Sequence, residues 1–157
     1  MKIIMALRGP LNKMNITIKK FIELLAFSFP QVFPADQANL LYYAHTRGWL
    51  EDQDERFCDK NLNRQTAARI IHQFMKIELG VPDLPDITPA NVLADLYTCH
   101  TCVNHIAQVY LRGLMQAQTM ERDGVEYKIF NQLAEVTEEE ITFLFSQLPQ
   151  AQPLEKL

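Results

Sequence analysis

Cysteine is scarce in this chain of 157 residues. Three cysteines are too few, and odd in number, to frame a disulfide-stapled secreted mini-domain. Free thiols in a reducing compartment are the expectation. Long hydrophobic runs are missing too. The opening run "IIMAL" ends after five residues at Arg8, shorter than the roughly 7–15-residue core of a signal peptide. "FIELLAFSF", Phe21 to Phe29, holds Glu23 and stops at Pro30, well short of the roughly 20 apolar residues that span a bilayer. A soluble chain without a membrane span is expected, cytoplasmic by sequence, with Met1 or Met14 as its start. Positive charge is in deficit: 15 Lys and Arg against 19 Asp and Glu give a formal net charge of -4. That leaves no broad basic face for phosphates and excludes nucleic acid as a general partner. The chain also lacks a Gly-x-Ser-x-Gly elbow, a phosphate-cradling glycine loop and a His-Glu-x-x-His helix. His45 and His72 have no recognisable triad context. The chain is therefore not expected to be an enzyme or to need a cofactor.

What is present is helical periodicity. With 48% apolar and 22% charged residues, the composition suits one globular domain over 1–157. Apolar residues fall at i, i+3, i+4, i+7 in four places: Ile18, Phe21, Ile22, Leu25; Ala67, Ile70, Ile71, Phe74; Val103, Ile106, Ala107, Tyr110; and Ile141, Leu144, Phe145, Leu148. Weaker helical stretches are Asp36–Gly48 and Thr88–Tyr97. Asn63 and Thr137 stand where an N-cap oxygen is needed, and Thr137-Glu138-Glu139-Glu140 forms a capping box. Gly48, Gly80 and Gly113 each follow a helical run, as a left-handed C-terminal cap requires. Alternating patterns are absent, apart from short extended pieces near Phe57 and over Val125–Phe130. The expected fold class is all-α.

The helical parts repeat. "LLYYAHTRG", "WLEDQDERF" and "NRQTAARIIHQFM" are followed by a looser copy: "HIAQVYLRG", "LMQAQTMERDGVEYKIF" and "TEEEITFLFSQL". Each copy reads helix, glycine stop, turn, aromatic, polar step, capped helix. The glycines lie 65 residues apart and the aromatics Phe57 and Phe130 lie 73 apart, so the second copy carries an insertion near Glu121–Gly124. The organisation read from this is a half repeat at 15–32, a repeat at 33–80 and a repeat at 83–148 with a turn insertion. Helix pairs that cannot bury their apolar faces alone stack on neighbours.

These features resemble the S-layer homology repeat of bacterial surface proteins. Phe33 and Asp36 are similar to its Phe-x-Asp opening, Gly48 to its turn, Phe57 to its aromatic and "NRQTAARII" to its motif helix, with Arg64 at the arginine. In the last copy Asp86, Gly113, Phe130 and "VTEEEI" take those places, with glutamate for the arginine. The tryptophan-alanine pair of the family's first helix is absent. The resemblance implies a pseudo-threefold helical body of stacked helix pairs. It also implies a non-catalytic role in anchoring to cell-wall polysaccharide at the cell surface, with Arg64 and Asp36 as ligand-binding residues. Trp49 serves either as packing or as a platform for a sugar. The alternative is an intracellular protein-interaction or assembly module, which the missing export signal and the free cysteines favour. Half a unit at the front leaves an apolar face for a second copy, hence a homodimer, or a mobile terminus.

Three further motifs carry weaker chemistry. "CHTC", Cys99 to Cys102, with His105 offers residue types that zinc favours. On a helix, however, Cys99 falls inside the apolar stripe, Cys102 at its edge and His105 nearly opposite, so the three do not converge. Buried small thiols are expected there rather than a metal or thiol-exchange site. "EDQDE", Glu51 to Glu55, lacks the glycine and terminal glutamate of an EF-hand and reads as a solvated acidic turn. Asp123-Gly124 is first of all a turn signal. No metal is expected.

Overall fold

The computed structural model describes residues 16–33 and 39–148. In chain order the regular elements are α1 (Ile18–Ser28), α2 (Leu40–Arg47), α3 (Asp52–Arg56), α4 (Arg64–Glu78), α5 (Val103–Leu111), β1 (Gln118–Arg122), β2 (Val125–Ile129) and α6 (Glu138–Gln147). Short 3-10 turns occupy Pro30–Val32, Thr88–Val92, Leu96–Thr98 and His100–Cys102.

Helices α1, α4 and α6 begin in the same way. The side-chain oxygens of Thr17, Asn63 and Thr137 accept from the amides of Lys20, Thr66 and Glu140 at 3.0, 2.8 and 3.1 Å. Each cap occupies one of the donors that a first helical turn leaves without a partner. The extended segments that lead into these caps lie edge to edge. Leu62 sits in the middle, giving its N–H to the Ile16 carbonyl and its C=O to the Val136 amide, at 2.7 and 3.0 Å. Arg64 N–H and Gln65 N–H bond to the carbonyls of Ala134 and Gln132. The starts of α1, α4 and α6 are thereby fixed side by side.

Below them the four apolar stripes meet. Phe21, Ile22 and Leu25 of α1, Ala67, Ile70, Ile71 and Phe74 of α4, Ile106 and Ala107 of α5, and Ile141 of α6 are fully enclosed. Phe21 packs on Phe145 with ring centroids 5.7 Å apart, and Phe74 receives both Phe29 and Trp49. The sequence periodicity placed these faces correctly because each stripe is a local property of one helix.

The all-α expectation is corrected. Among the described residues the chain is mixed α/β, with six α-helices and one two-stranded antiparallel sheet. The strands pair from Gln118↔Ile129 to Arg122↔Val125. They are joined by Asp123 and Gly124 at φ 52° and 80°, the two positive values that a type I′ hairpin turn demands. Gln118–Arg122 is exposed along its whole length, so neither face needs apolar residues and no alternation marks it. Phe57 is likewise not extended; it caps the C-terminus of α3. Thr88–Tyr97 forms 3-10 turns rather than an α-helix. After Gly48 the chain forms the short helix α3, whereas after Gly113 it forms the hairpin. The Phe33–Asp36 opening lies mostly outside the described residues, as do Met1 and Met14.

Gly48 ends α2 at φ 101°, its N–H reaching the carbonyls of Ala44 and His45. A Cβ there would meet Ile77 Cδ1 at 3.1 Å. Gly48→Ala is therefore expected to cost about 1 kcal/mol or more, read as a lower urea midpoint with an unchanged slope.

Candidate functional site

A polar cleft of about 200 Å³ opens beside the seam where α1 and α4 begin. Its floor is a buried ion pair. Asp54, 3% exposed, receives Arg69 Nη1 on Oδ2 at 2.6 Å and Nη2 on Oδ1 at 2.9 Å, the two-pronged fit of guanidinium to carboxylate. The Glu51 amide adds a third bond to Asp54 at 2.8 Å, which also caps α3. Burial works against charge on Arg69. The hydrogen bonds and nearness of Asp54, with Glu51 beyond it, outweigh that and raise its pKa. The floor is charged but neutral in sum.

Amide and hydroxyl side chains form the walls: Gln53, Asn61, Asn63 and Thr66. Asn61 is held by Glu135 at 2.9 Å, and Asn63 by its capping bond. Phe57 stands on the rim, 51% exposed, with the Lys60 ammonium 5.7 Å from its ring centroid. Among the described residues Lys60 has no carboxylate partner. An aromatic face beside several planar hydrogen-bonding groups can hold a polyhydroxylated ligand, the ring covering its apolar face and the amides its hydroxyls.

Of the residues the sequence nominated, Arg64 and Trp49 are placed inside the protein. Arg64 is 1% exposed. Its Nε donates to the Phe130 carbonyl at 2.7 Å and one terminal nitrogen to the Gln116 carbonyl at 2.5 Å. The other terminal nitrogen pairs with Glu140, and the guanidinium stacks 4.6 Å from the Phe130 ring centroid. Burial lowers its pKa to about 10, Asp95 opposing, so it stays charged at neutral pH. Each of its three nitrogens has a partner inside the protein, and the buried side chain does not face a groove. Trp49 is fully enclosed, edge-on to Phe33, Tyr43 and Phe74, with its N–H on Glu78 at 3.0 Å. It fills the core rather than offering a surface. Asp36 lies outside the described residues.

The acidic stretch at Glu51–Glu55 is corrected from a turn to α3, with Asp54 turned inward. Sequence reasoning missed Asp54 and Arg69 as cleft residues. The reciprocal Glu51 and Asp54 cap, three residues apart, was the available signal. Arg69 gave none, because its partner lies across a turn.

A second polar group lies between α4 and α5. His72 Nε2 meets Asp83 Oδ1 at 2.7 Å, and His72 Nδ1 meets His105 Nδ1 at 2.8 Å. Asn104 holds the other Asp83 oxygen at 3.0 Å. Two ring nitrogens that close share a single proton between them. Burial, then the charges of His72, Arg69 and Lys76, lower the pKa of His105 to about 4, with Asp83 opposing. Burial alone would raise the Asp83 pKa, but the bonds from His72 and Asn104 outweigh it and hold the group low. Among the described residues no hydroxyl or thiol bonds either ring, so a nucleophile is not paired with this chain of groups. None of the described residues forms a group of three or more His, Cys, Asp or Glu able to hold a metal ion.

The free-thiol expectation is corrected as well: Cys99 and Cys102 form a disulfide with Cα atoms 5.3 Å apart, and Cys58 is the free cysteine of the described residues. Spacing alone could not reveal this, because Cys99–Cys102 is not one regular α-helix but the cap and turn before α5. A ring of four residues restrains the unfolded chain little, by about 2 kcal/mol in the chain-entropy picture.

The fold and cleft define a small mixed α/β domain with an open polar groove. No family model, curated protein or solved structure matches the chain. No described helix is long and apolar enough to cross a membrane.

Removing the Arg64 guanidinium leaves Glu140 and two carbonyls without their donor. Arg64→Ala is expected to destabilise the fold by about 3 kcal/mol, measured by denaturant titration, with Arg64→Lys recovering only part of it because lysine lacks the fork. A pH dependence follows from His105. In the folded chain its ring stays neutral down to about pH 4, whereas an unfolded imidazole takes a proton near pH 6.5. The unfolded state binds more protons in that window, so stability is present above it and is lost as pH falls from about 6.5 to about 4. His105→Gln is expected to reduce that loss by about 1–2 kcal/mol, allowing for solvent screening, in melts compared at pH 7 and pH 4.5.

Proposed function

We propose that this chain is a non-catalytic binding module whose ligand is a polyhydroxylated chain, a cell-wall polysaccharide in the sense that the S-layer homology resemblance implies. The observation that carries the reading is the cleft itself: an exposed aromatic, Phe57, above a ring of amides and a charge-neutral floor. Lys60, without a carboxylate partner among the described residues, favours a glycan bearing acidic groups. The recognising residues in this proposal are Phe57, Lys60, Asn61 and Gln53. Arg64 acts beneath them by holding the chain that carries the helix starts.

Titration of purified wall polysaccharide followed by calorimetry tests it. Phe57→Ala is expected to weaken binding about tenfold, equivalent to about 1.4 kcal/mol, with the melting temperature nearly unchanged because Phe57 is exposed. Unaltered affinity in Phe57→Ala counts against the cleft, and absence of binding by the wild type counts against the glycan. A protein-interaction role is the second reading, favoured by the hairpin: Met120 and Val125 are 40% and 65% exposed, and β1 pairs with β2 alone among the described residues.

A further inference from the structure

We propose that the Cys99–Cys102 disulfide is a thiol–disulfide exchange site, reduced by and oxidised by external thiols while the rest of the fold stays intact. It is a different site from the polar cleft and does not depend on the glycan reading.

Three features of its placement carry the inference. The bridge closes a ring of only four residues between the Leu96–Thr98 turn and the start of α5. It joins no two elements distant in the chain, so opening it releases no tertiary crossing. The second feature is unequal access. Cys99 is half-buried, whereas Cys102 is 8% exposed. An incoming thiolate therefore meets the sulfur of Cys99, and Cys102 is the sheltered partner that leaves.

The third feature is where the leaving electrons go. Cys102 is the N-cap residue of α5, and its side chain makes no capping hydrogen bond. The nine-residue helix is anchored by Ile106, Ala107 and Val109, all fully enclosed. A sulfur carried at that position lies within a turn of the positive end of the helix, which favours thiolate over thiol. Cys99 Sγ in turn lies 3.5 Å from the Thr101 hydroxyl, which can donate to it when it carries charge. Leaving-group thiols that are stabilised as thiolates leave faster.

The chemistry balances with thiols as the only co-reactant. A thiolate attacks Cys99 Sγ, the sulfur–sulfur bond breaks, and the electron pair departs on Cys102 Sγ, which then equilibrates its proton with solvent. A second external thiolate attacks the outer sulfur of the mixed disulfide, forming the external disulfide and releasing Cys99 as thiolate. Two thiols are oxidised and one protein disulfide is reduced. In the reverse direction Cys99 attacks an external disulfide and Cys102 resolves the adduct.

The test uses the full chain carrying Cys58→Ser, equilibrated with mixtures of reduced and oxidised glutathione, alkylated, and read by mass. The expected result is reversible interconversion of the two-electron oxidised and reduced forms, with circular dichroism showing the fold retained in both. On the same background Cys102→Ser is expected to accumulate one glutathione adduct on Cys99, at least tenfold faster than Cys99→Ser accumulates one on Cys102. The proposal is overturned by a bridge that stays oxidised at every glutathione ratio until denaturant is added. It is equally overturned by a pair that oxidised glutathione leaves reduced, or by equal adduct rates in the two serine variants. Should either serine variant fail to fold, the titration of the Cys58→Ser chain decides alone.

Discussion

A guanidinium held away from water is the constraint around which this domain is arranged. Arg64 begins α4, yet its side chain turns inward to the carbonyls of Gln116 and Phe130 and to the carboxylate of Glu140. Those partners come from the approach to β1, from the exit of β2 and from the first turn of α6. One charge thus ties four parts of the chain to one point. A buried cation is costly unless it is paired and hydrogen-bonded, so the surrounding backbone is restricted to the arrangements that supply those partners. The Phe130 ring packed on the guanidinium closes the remaining side.

That restriction positions the cleft. With α4 and α6 registered by Arg64, the extended segments before α1, α4 and α6 share backbone hydrogen bonds through Leu62. Asn61 and Asn63 belong to the middle segment and line the cleft together with Gln53 and Asp54 of α3. Asp54 and Arg69 lock α3 against α4 from below. The groove is therefore built from rigid helix starts rather than from a free loop, a preorganisation that lowers the entropy cost of binding.

Polar groups between α4 and α5 do a different job. Gln108 is fully enclosed and exchanges hydrogen bonds with the backbone of Leu84, while His72, Asp83, Asn104 and His105 form a connected network beside it. A connected network satisfies its buried groups and specifies one packing of the two helices. His105 makes that packing sensitive to acid, since burial and the neighbouring positive charges hold its ring neutral until the pH is well below the usual imidazole range.

The four apolar stripes, the caps at Asn63 and Thr137, the glycine stops at Gly48 and Gly113 and the turn at Asp123-Gly124 were all legible before any coordinates. Each depends on residues within one or two turns of one another, and local spacing encodes them directly. The hairpin strands were only half legible, because a solvent-exposed ribbon needs no alternating pattern. Arg64 was singled out for a groove it does not face. Whether an arginine in a first helical turn points to water or to carbonyls 52 and 66 residues away is settled by the chain that returns to cover it. The same holds for Asp54 against Arg69, for Asp83 against His72 and for the pairing of Cys99 with Cys102. Sequence determined the four amphipathic helices and their caps, since those are short-range free energies; only tertiary structure decided the short helix α3, which charges are buried and which sulfurs meet, since those require partners brought together by the fold.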